Sequence, residues 1–307
     1  MSFKFKYSLI VPHYNDVYRL KRLLSSLPVR DDLQVLVIDD CSPDQHSLNK
    51  FKNKFSDVTY LSTPTNKGAG AARNIGLQHI KGEFIVFADA DDEFLPNAFD
   101  VFDEKVSKDA DITYFLAEAW QEESGQPSVR ADSLNQLCNS YLKEPSEQNL
   151  QKLKLAHCVP WAKVYKKEFI ESTNIKFDET FVSNDIYFNV VNAVLAKNIA
   201  VFSEKVYKVY RLSDSLTSTT TSERLIERVE VSAKLAGKLK DLGIKEKRSA
   251  SGYILDSLNY GISTFLKVLY ISIRSDMQLN LFRVFQPQRW LAFFRRKKQL
   301  DLEKNTK

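Results

Sequence analysis

The sequence predicts an α/β protein with a doubly wound, mostly parallel sheet and a helical C-terminal extension. Short apolar runs alternate with helical patterns over the first hundred residues or so, two of these runs end in acidic residues, and the pattern becomes wholly helical from Ser222. With 307 residues, 43% of them hydrophobic and 27% charged, the chain has the composition of a globular protein and can bury one large core or two smaller ones.

The composition also narrows the class of protein. Cys41, Cys138 and Cys158 are far apart and odd in number, which excludes a disulfide framework or zinc-finger spacing and favours a reducing compartment. The N-terminus lacks the pattern of a signal peptide, and no window of eighteen residues is free of charge. We therefore expect a cytoplasmic protein without a membrane-spanning segment.

Four strands with intervening helices are predicted in the N-terminal half. The strands are 7–11, 33–38, 58–61 and 84–88. The last is apolar throughout, as in a parallel strand covered on both faces. The alternation predicts that all four strands lie parallel in one sheet, with their carboxyl ends at the same edge.

Asp89, Asp91 and Asp92 directly follow the strand at 84–88. Crowded carboxylates raise one another's pKa unless a cation or a ligand neutralises them. A divalent Mn²⁺ or Mg²⁺ ion that carries phosphates would do so, since hard oxygen ligands suit these ions. The alternative is a solvated turn in which Asp91 or Asp92 caps a helix at 96–106.

A second acidic pair, Asp39 and Asp40, ends the strand at 33–38. Ligands of open α/β sheets bind in the crevice beyond the carboxyl ends of the strands. Acids at the same end of two strands therefore favour a nucleotide crevice over two unrelated surface turns.

Small residues between Lys67 and Arg73 open the helix that precedes the fourth strand. The stretch is neither a P-loop nor a dinucleotide fingerprint. Without large side chains, the backbone from Gly68 onward could approach a phosphate, with positive charge on either side. Close packing of this helix on the sheet is the alternative.

Together these motifs resemble those of family 2 glycosyltransferases of the GT-A fold, including their DXD motif. The matching stretches are IVPHYN (10–15), VIDDCS (37–42), NKGAGAARNIG (66–76), DADD (89–92), PWAKVYK (160–166), FDETFVSND (177–185) and YRLSDS (210–215). Asn184 departs from the family, because a Glu usually stands before Asp185. The resemblance implies a catalytic domain at 1–220, with a nucleotide-binding half at 1–118 and an acceptor half at 119–220, and an extension at 221–307.

The resemblance implies transfer of a sugar from a nucleotide-diphosphate donor, with UDP favoured, to an acceptor hydroxyl with inversion at the anomeric carbon. Asp91, helped by Asp89, would hold the metal ion, and Asp40 would accept a base N–H. The other expected nucleotide contacts are Pro12, Tyr14, Lys67, Gly68, Arg73, Asp89 and Arg211.

The resemblance also implies that Asp185 is the general base, the role that a carboxylate usually has in removing the proton of the acceptor hydroxyl. The alternative is an N-cap of the apolar helix that follows. Trp161 could stack on an acceptor sugar or belong to the core. Arg211 could equally be a surface strand residue.

In the C-terminal extension, two helices are predicted at 225–242 and 254–269, followed by a segment at 279–298 that mixes aromatic and basic residues. Such a segment suits an interfacial helix on the inner face of an anionic cell membrane, and a packing helix is the alternative. Membrane contact would fit a lipid-linked glycan acceptor in capsule or O-antigen synthesis. The basic residues form no nucleic-acid-binding module.

The alternatives to a glycosyltransferase are a nucleotidyltransferase and a catalytically inactive scaffold. A nucleotidyltransferase should carry a glycine-rich loop with Arg after the first strand, but Pro12, His13, Tyr14 and Asn15 stand there. A catalytically inactive scaffold that binds nucleotide sugars remains open because of Asn184, although the intact DADD sequence argues against it.

Overall fold

The computed structural model describes residues 4–211, 221–246, 248–275 and 277–279. The chain divides into two compact units, Met1–Ser215 and Leu216–Lys307. Each unit is described on its own.

The first unit is built on one sheet of eight strands in the order β3-β2-β1-β4-β7-β6-β8-β5. The strands are β1 (Phe5–His13), β2 (Leu33–Asp39), β3 (Thr59–Ser62), β4 (Gly82–Phe87), β5 (Glu93–Phe94), β6 (Ile112–Gln121), β7 (Lys163–Lys166) and β8 (Ile199–Arg211). Strands β3, β2, β1 and β4 are parallel, as predicted. The antiparallel pairs made by β7 and β5 were not predicted, since these strands have only four and two residues.

Helices cover both faces of the sheet. They are α1 (Val17–Ser25), α2 (Gln45–Lys52), α3 (Ala69–Leu77), α4 (Ala98–Lys105), α5 (Asp132–Lys143), α6 (Glu147–Ala156), α7 (Lys167–Thr173) and α8 (Ile186–Leu195). Leu9 and Val11 belong to one hydrophobic cluster, whereas Ile10 between them belongs to another. Alternate side chains of β1 are thus buried on opposite faces, which explains the continuous apolar sequence of this strand.

The described part of the second unit is helical, with α9 (Ser222–Asp241), α10 (Ser251–Ser257) and α11 (Ile262–Arg274). The prediction of one helix over 254–269 was wrong. Gly261 has a φ of 92°, outside the right-handed helical region, and separates α10 from α11. Among the described residues, none of the helices is long and apolar enough to cross a membrane.

Candidate active site

Three carboxylates follow β4 at the carboxyl end of the parallel strands. One oxygen of each of Asp89, Asp91 and Asp92 lies within 4.8 Å of the others. The Asp89 N–H donates a hydrogen bond to the hydroxyl of Tyr207 on β8, at 2.9 Å, which fixes the start of the acidic turn. This all-oxygen set fits a hard divalent cation.

Burial and mutual repulsion disfavour the ionised forms of Asp91 and Asp92. Burial and the nearby charge of Asp89 raise the pKa of Asp91 to about 6. Burial and the charges of Asp91 and Asp89 raise the pKa of Asp92 as well. A cation bound between the carboxylates would relieve both the repulsion and the cost of burial.

Asp92 has a different role from the helix cap considered above. It is buried, and its Oδ1 accepts a hydrogen bond of 2.9 Å from the backbone N–H of Tyr210 on β8. Helix α4 begins at Ala98, and its N-cap is Asn97. The capping alternative is therefore wrong, and Asp92 joins the acidic turn to β8.

Arg22 supports the acidic turn from α1. Its guanidinium donates to the carbonyl oxygen of Asp91, pairs with Glu122 at 2.8 Å, and lies 3.7 Å from the centroid of the Tyr210 ring. This support could not be predicted from the sequence, because the partners of Arg22 are 69 to 188 residues away along the chain.

The tips of β1 and β2 are joined through Asp39. Its carboxylate accepts a hydrogen bond of 3.0 Å from His13 Nδ1 and further bonds from Ser42 and Gln45. Burial by itself would raise the pKa of Asp39, but these hydrogen bonds outweigh it and lower the pKa to about 2. Asp39 is thus an ionised structural residue.

Asp40 organises the loop that leads into α3. Its carboxylate accepts hydrogen bonds from the Thr63 hydroxyl at 2.8 Å and from the backbone N–H groups of Lys67 and Gly68 at 3.1 and 2.6 Å. A carboxylate has about four acceptor positions, so about one remains for a ligand. The side chain has a structural role that the sequence did not indicate.

The small residues of this loop are required by close packing. A Cβ atom at Gly68 would lie 2.6 Å from the carbonyl oxygen of Thr180, and one at Gly70 would lie 1.9 Å from that of Asp178. Close packing, the alternative to phosphate binding, therefore explains the glycine at both positions. The helix packs there against the backbone before Asp185 and not against the sheet. Lys67 pairs with Glu179 of the same segment at 3.1 Å.

Arg73 connects the acidic turn to the segment that precedes α8. Its guanidinium donates to Asp89 Oδ1 at 2.5 Å and to Asn184 Oδ1 at 2.9 Å, and its side chain is only 4% exposed. The structure therefore gives Arg73 a linking role, and its direct contact with nucleotide stays a prediction. Asn184, the departure from the family motif, is a partner in this link.

Asp185 lies at the N-cap position of α8, but its side chain makes no capping hydrogen bond. The carboxylate is half-buried, and burial raises its pKa to about 6, with Arg73 lowering the value and Asp89 raising it. Ser183 just before it has a φ of 57°, which is strained for a residue other than glycine. The Asp185 carboxylate therefore does not cap α8, and none of its oxygens is occupied by a capping hydrogen bond.

The remaining predicted residues differ in exposure. Trp161 is 3% exposed and stacks on Tyr207 with ring centroids 5.7 Å apart, which is the core arrangement. Pro12 is buried, whereas Tyr14 is 50% exposed beside the same strand ends. Arg211 is exposed at the end of β8, and residues 212–215 of its motif lie outside the described residues.

Both the sequence and the fold of this chain are similar to those of known proteins. The model of the family described as "Glycosyl transferase family 2" matches residues 8–173, which is more than half of the chain. The chain is 31% identical over 215 residues to the poly(ribitol-phosphate) beta-N-acetylglucosaminyltransferase TarS of Staphylococcus aureus, covering 66% of this chain and 35% of that protein. It thus spans about a third of the length of this relative.

A second relative is the GalNAc(5)-diNAcBac-PP-undecaprenol beta-1,3-glucosyltransferase of Campylobacter jejuni, 27% identical over 220 residues, with 69% of this chain and 67% of that protein covered. The crystal structure of S. aureus TarS 1-349 in complex with UDP-GlcNAc superposes with a TM-score of 0.60 at 19% identity, covering 94% of this chain and 79% of that one. This likeness confirms the predicted GT-A fold. By the family match and this fold, the chain belongs to glycosyl transferase family 2.

Proposed function

We propose that this chain is an inverting, metal-dependent glycosyltransferase that moves a sugar from a UDP-sugar to a hydroxyl of a glycan or lipid-linked glycan in bacterial surface-polysaccharide synthesis. The observation that carries the proposal is the link from Asp89 through Arg73 to Asn184. This link supports the proposal, because it connects the acidic turn, which would suit a metal ion, to the residue next to Asp185.

Asp91 and Asp89 would hold Mn²⁺ or Mg²⁺, with Asp92 as the residue that ties their turn to β8. The ion, when bound, would stabilise the negative charge that develops on the departing diphosphate. The raised pKa of Asp91 supports this assignment, because cation binding would favour its ionised form.

The donor would lie over the tips of β1 and β2. The half-exposed ring of Tyr14 offers a face to the base, and Asp40 keeps about one acceptor position for a base N–H. Pro12, Lys67, Gly68 and Arg211 are the other proposed contacts. The UDP-GlcNAc named with the S. aureus structure supports a uridine nucleotide here.

Asp185 is the proposed general base. As the acceptor oxygen bonds to the anomeric carbon, the hydroxyl proton moves to the Asp185 carboxylate and the bond between that carbon and the diphosphate oxygen breaks on the opposite face. A carboxylate with a pKa of about 6 is mostly ionised at neutral pH and is a stronger base than an ordinary Asp.

A lipid-linked acceptor on the cytoplasmic face of the membrane is the proposed substrate class, supported by the undecaprenol-linked glycan in the name of the C. jejuni relative. In the second unit, Ile262, Leu266, Tyr270 and Ile273 are 56–78% exposed, and their spacing places them on one side of α11. The aromatic and basic segment at 279–298 lies outside the described residues beyond Leu279. We assign both to peripheral membrane contact by the extension at 221–307.

Release of UDP from a panel of UDP-sugars, with and without Mn²⁺, tests the proposed activity. We expect release from one donor with metal and its loss in Asp91→Asn. UDP binding without release from any donor, even when lipid-linked glycan acceptors are added, would instead identify the inactive scaffold.

A further inference from the structure

Lys163 is a buried lysine near the start of α8, and the proposed function assigns it no role. Lys163 on β7 is 1% exposed, although burial of an ammonium group is unfavourable unless nearby groups compensate its charge. Its Nζ donates to the carbonyl oxygen of His157 at 2.8 Å and to Asn189 Oδ1 at 3.4 Å, and it lies 4.7 Å from the centroid of the Tyr114 ring. These partners are neutral, so they compensate the charge only in part.

Asn189 carries this contact to the start of α8. Its Oδ1 accepts a second hydrogen bond of 2.6 Å from the Tyr165 hydroxyl, so two donors fix the orientation of its amide. The Nδ2 group then donates to the carbonyl oxygen of Asp185 at 2.8 Å, beside the helical bond from the Asn189 backbone N–H at 3.0 Å. Lys163 and Tyr165 lie on the same face of β7 and together hold the first turn of α8.

The ammonium also acts on the Asp185 carboxylate through space. Burial lowers the pKa of Lys163 to about 7, and the negative charge of Asp185 opposes this shift. In turn, Lys163 lowers the pKa of Asp185, which burial has raised to about 6. Near pH 6, where Asp185 titrates, Lys163 is therefore mostly protonated.

Other ionisable groups surround the pair. Charges from Arg73 and Asp89 reach Asp185. The ionisable groups around Lys163, from every element packed against it, are Tyr114 on β6, Cys138 on α5, His157 and Cys158 after α6, Tyr165 on β7 and Asp185.

We propose that Lys163 is a positioning residue for Asp185. Lys163 holds the start of α8 through Asn189 and keeps a positive charge near the Asp185 carboxylate. This inference rests on the proposed role of Asp185 as the base. Lys163 touches neither the donor nor the acceptor in this arrangement, so its effect on turnover passes entirely through Asp185.

The test is the pH profile of UDP-GlcNAc hydrolysis with Mn²⁺, or of another UDP-sugar if the donor panel selects one, measured in the full chain. In Lys163→Met we expect the acidic limb of kcat to move to higher pH, by up to about one pH unit, because the positive charge is lost. The donor KM should stay within about twofold of wild type, since the donor contacts are untouched.

Lys154→Met is the matched control. Lys154 is a half-buried lysine whose Nζ donates to the carbonyl oxygen of Ala196 at the other end of α8, at 3.1 Å. Its removal should leave the acidic limb in place. If Lys163→Met does not fold, Lys163→Gln replaces it, because its amide keeps a donor for the His157 carbonyl oxygen. The same shift of the acidic limb of kcat is expected in this variant.

An unchanged acidic limb in Lys163→Met or Lys163→Gln, with or without a lower kcat, would overturn the proposal and leave Lys163 a structural residue. Failure of the proposed base is distinguished by Asp185→Asn. Turnover at the wild-type rate in that variant would reject Asp185 as the base, and the positioning role with it.

Discussion

At the scale of single residues, the site depends on carboxylates with different environments. Asp39 is surrounded by hydrogen-bond donors, which lower its pKa to about 2, whereas Asp185 lacks a capping bond and burial raises its pKa to about 6. A carboxylate of the second kind is the better match for proton transfer near neutral pH, because its pKa lies closer to that pH. The surroundings of the two residues, and not their residue type, separate the structural acid from the proposed base.

Asp185→Asn should therefore abolish most of the turnover while the protein still binds UDP. The amide keeps the shape of the side chain but cannot accept the hydroxyl proton, so we expect kcat to fall by about 10²–10⁴. Kinetics of UDP release together with UDP titrations would measure both quantities. A variant that loses UDP affinity in parallel with kcat would contradict the assignment.

The pH dependence of kcat in the wild type should follow the titration of Asp185. Because the pKa of Asp185 is raised to about 6 and the base acts when ionised, kcat should be constant above about pH 7 and fall about tenfold per pH unit well below pH 6. Rates from pH 4.5 to 8.5 with saturating donor and metal would establish the profile. Constant kcat down to pH 5 would be inconsistent with this base.

Much of this site could be predicted at the level of residue identity. The acidic turn and Asp185 stand in motifs that the sequence displays. The internal contacts of Asp40 and Arg73 could not be predicted, because their partners Thr63 and Asn184 are 23 and 111 residues away along the chain. Sequence motifs identify which residues are needed at a site, but not whether each one contacts the ligand or another residue.

At the scale of elements, the entry to α3 determines how the two sides of the site meet. Gly68 and Gly70 allow its first turn to contact the backbone of 178–180, and Arg73 of the same helix pairs with Asn184. The four parallel strands could be predicted from their apolar sequences. Strand β7 could not, because its neighbours β4 and β6 are distant in sequence and its four residues show no clear period.

Gly70→Ala tests this close contact. The new Cβ would lie 1.9 Å from the carbonyl oxygen of Asp178, so the backbone before Asp185 must move, and we expect a loss of about 1–3 kcal/mol in the free energy of unfolding. A lower kcat should accompany it, since Asp185 is displaced. Urea denaturation and UDP-release kinetics would measure both effects.

Gly237→Ala is the control for this substitution. Gly237 lies inside α9, and among the described residues no atom outside its own stretch of helix comes within 4 Å of an added Cβ, so alanine should stabilise that helix by about 0.5–1 kcal/mol. Equal stability changes in the two variants would mean that the contact of α3 with 178–180 is not as tight as the structure indicates.

At the scale of the whole molecule, the acidic turn should reduce stability when no cation is bound. The pKa values of Asp91 and Asp92 are raised in the folded state, so the folded chain binds their protons more tightly than the unfolded chain. Their favourable contribution is complete below about pH 4 and is lost as the pH rises through about 6 for Asp91.

Asp91→Asn should therefore stabilise the metal-free protein at pH 7.5, where Asp91, with a pKa of about 6, is mostly ionised. We expect an increase of about 2–4 °C in Tm in the presence of EDTA, because one charge is removed from the cluster. The variant should also gain less from added Mn²⁺ than the wild type. A lower Tm in EDTA would show that the contacts of the ionised Asp91 carboxylate outweigh the cost of its burial and of the repulsion from Asp89.

If the acidic turn binds a nucleoside diphosphate together with a metal ion, both ligands should raise the thermal stability of the protein. UDP, GDP and other nucleoside diphosphates would each be added with and without Mn²⁺ to the wild type and to Asp91→Asn. A ligand at a hundred times its Kd adds about 2.7 kcal/mol of stability. We predict that UDP with Mn²⁺ raises the Tm of the wild type and that this effect is lost in Asp91→Asn. A shift that is equal without metal or in the variant, or no shift with any nucleotide, would contradict the account.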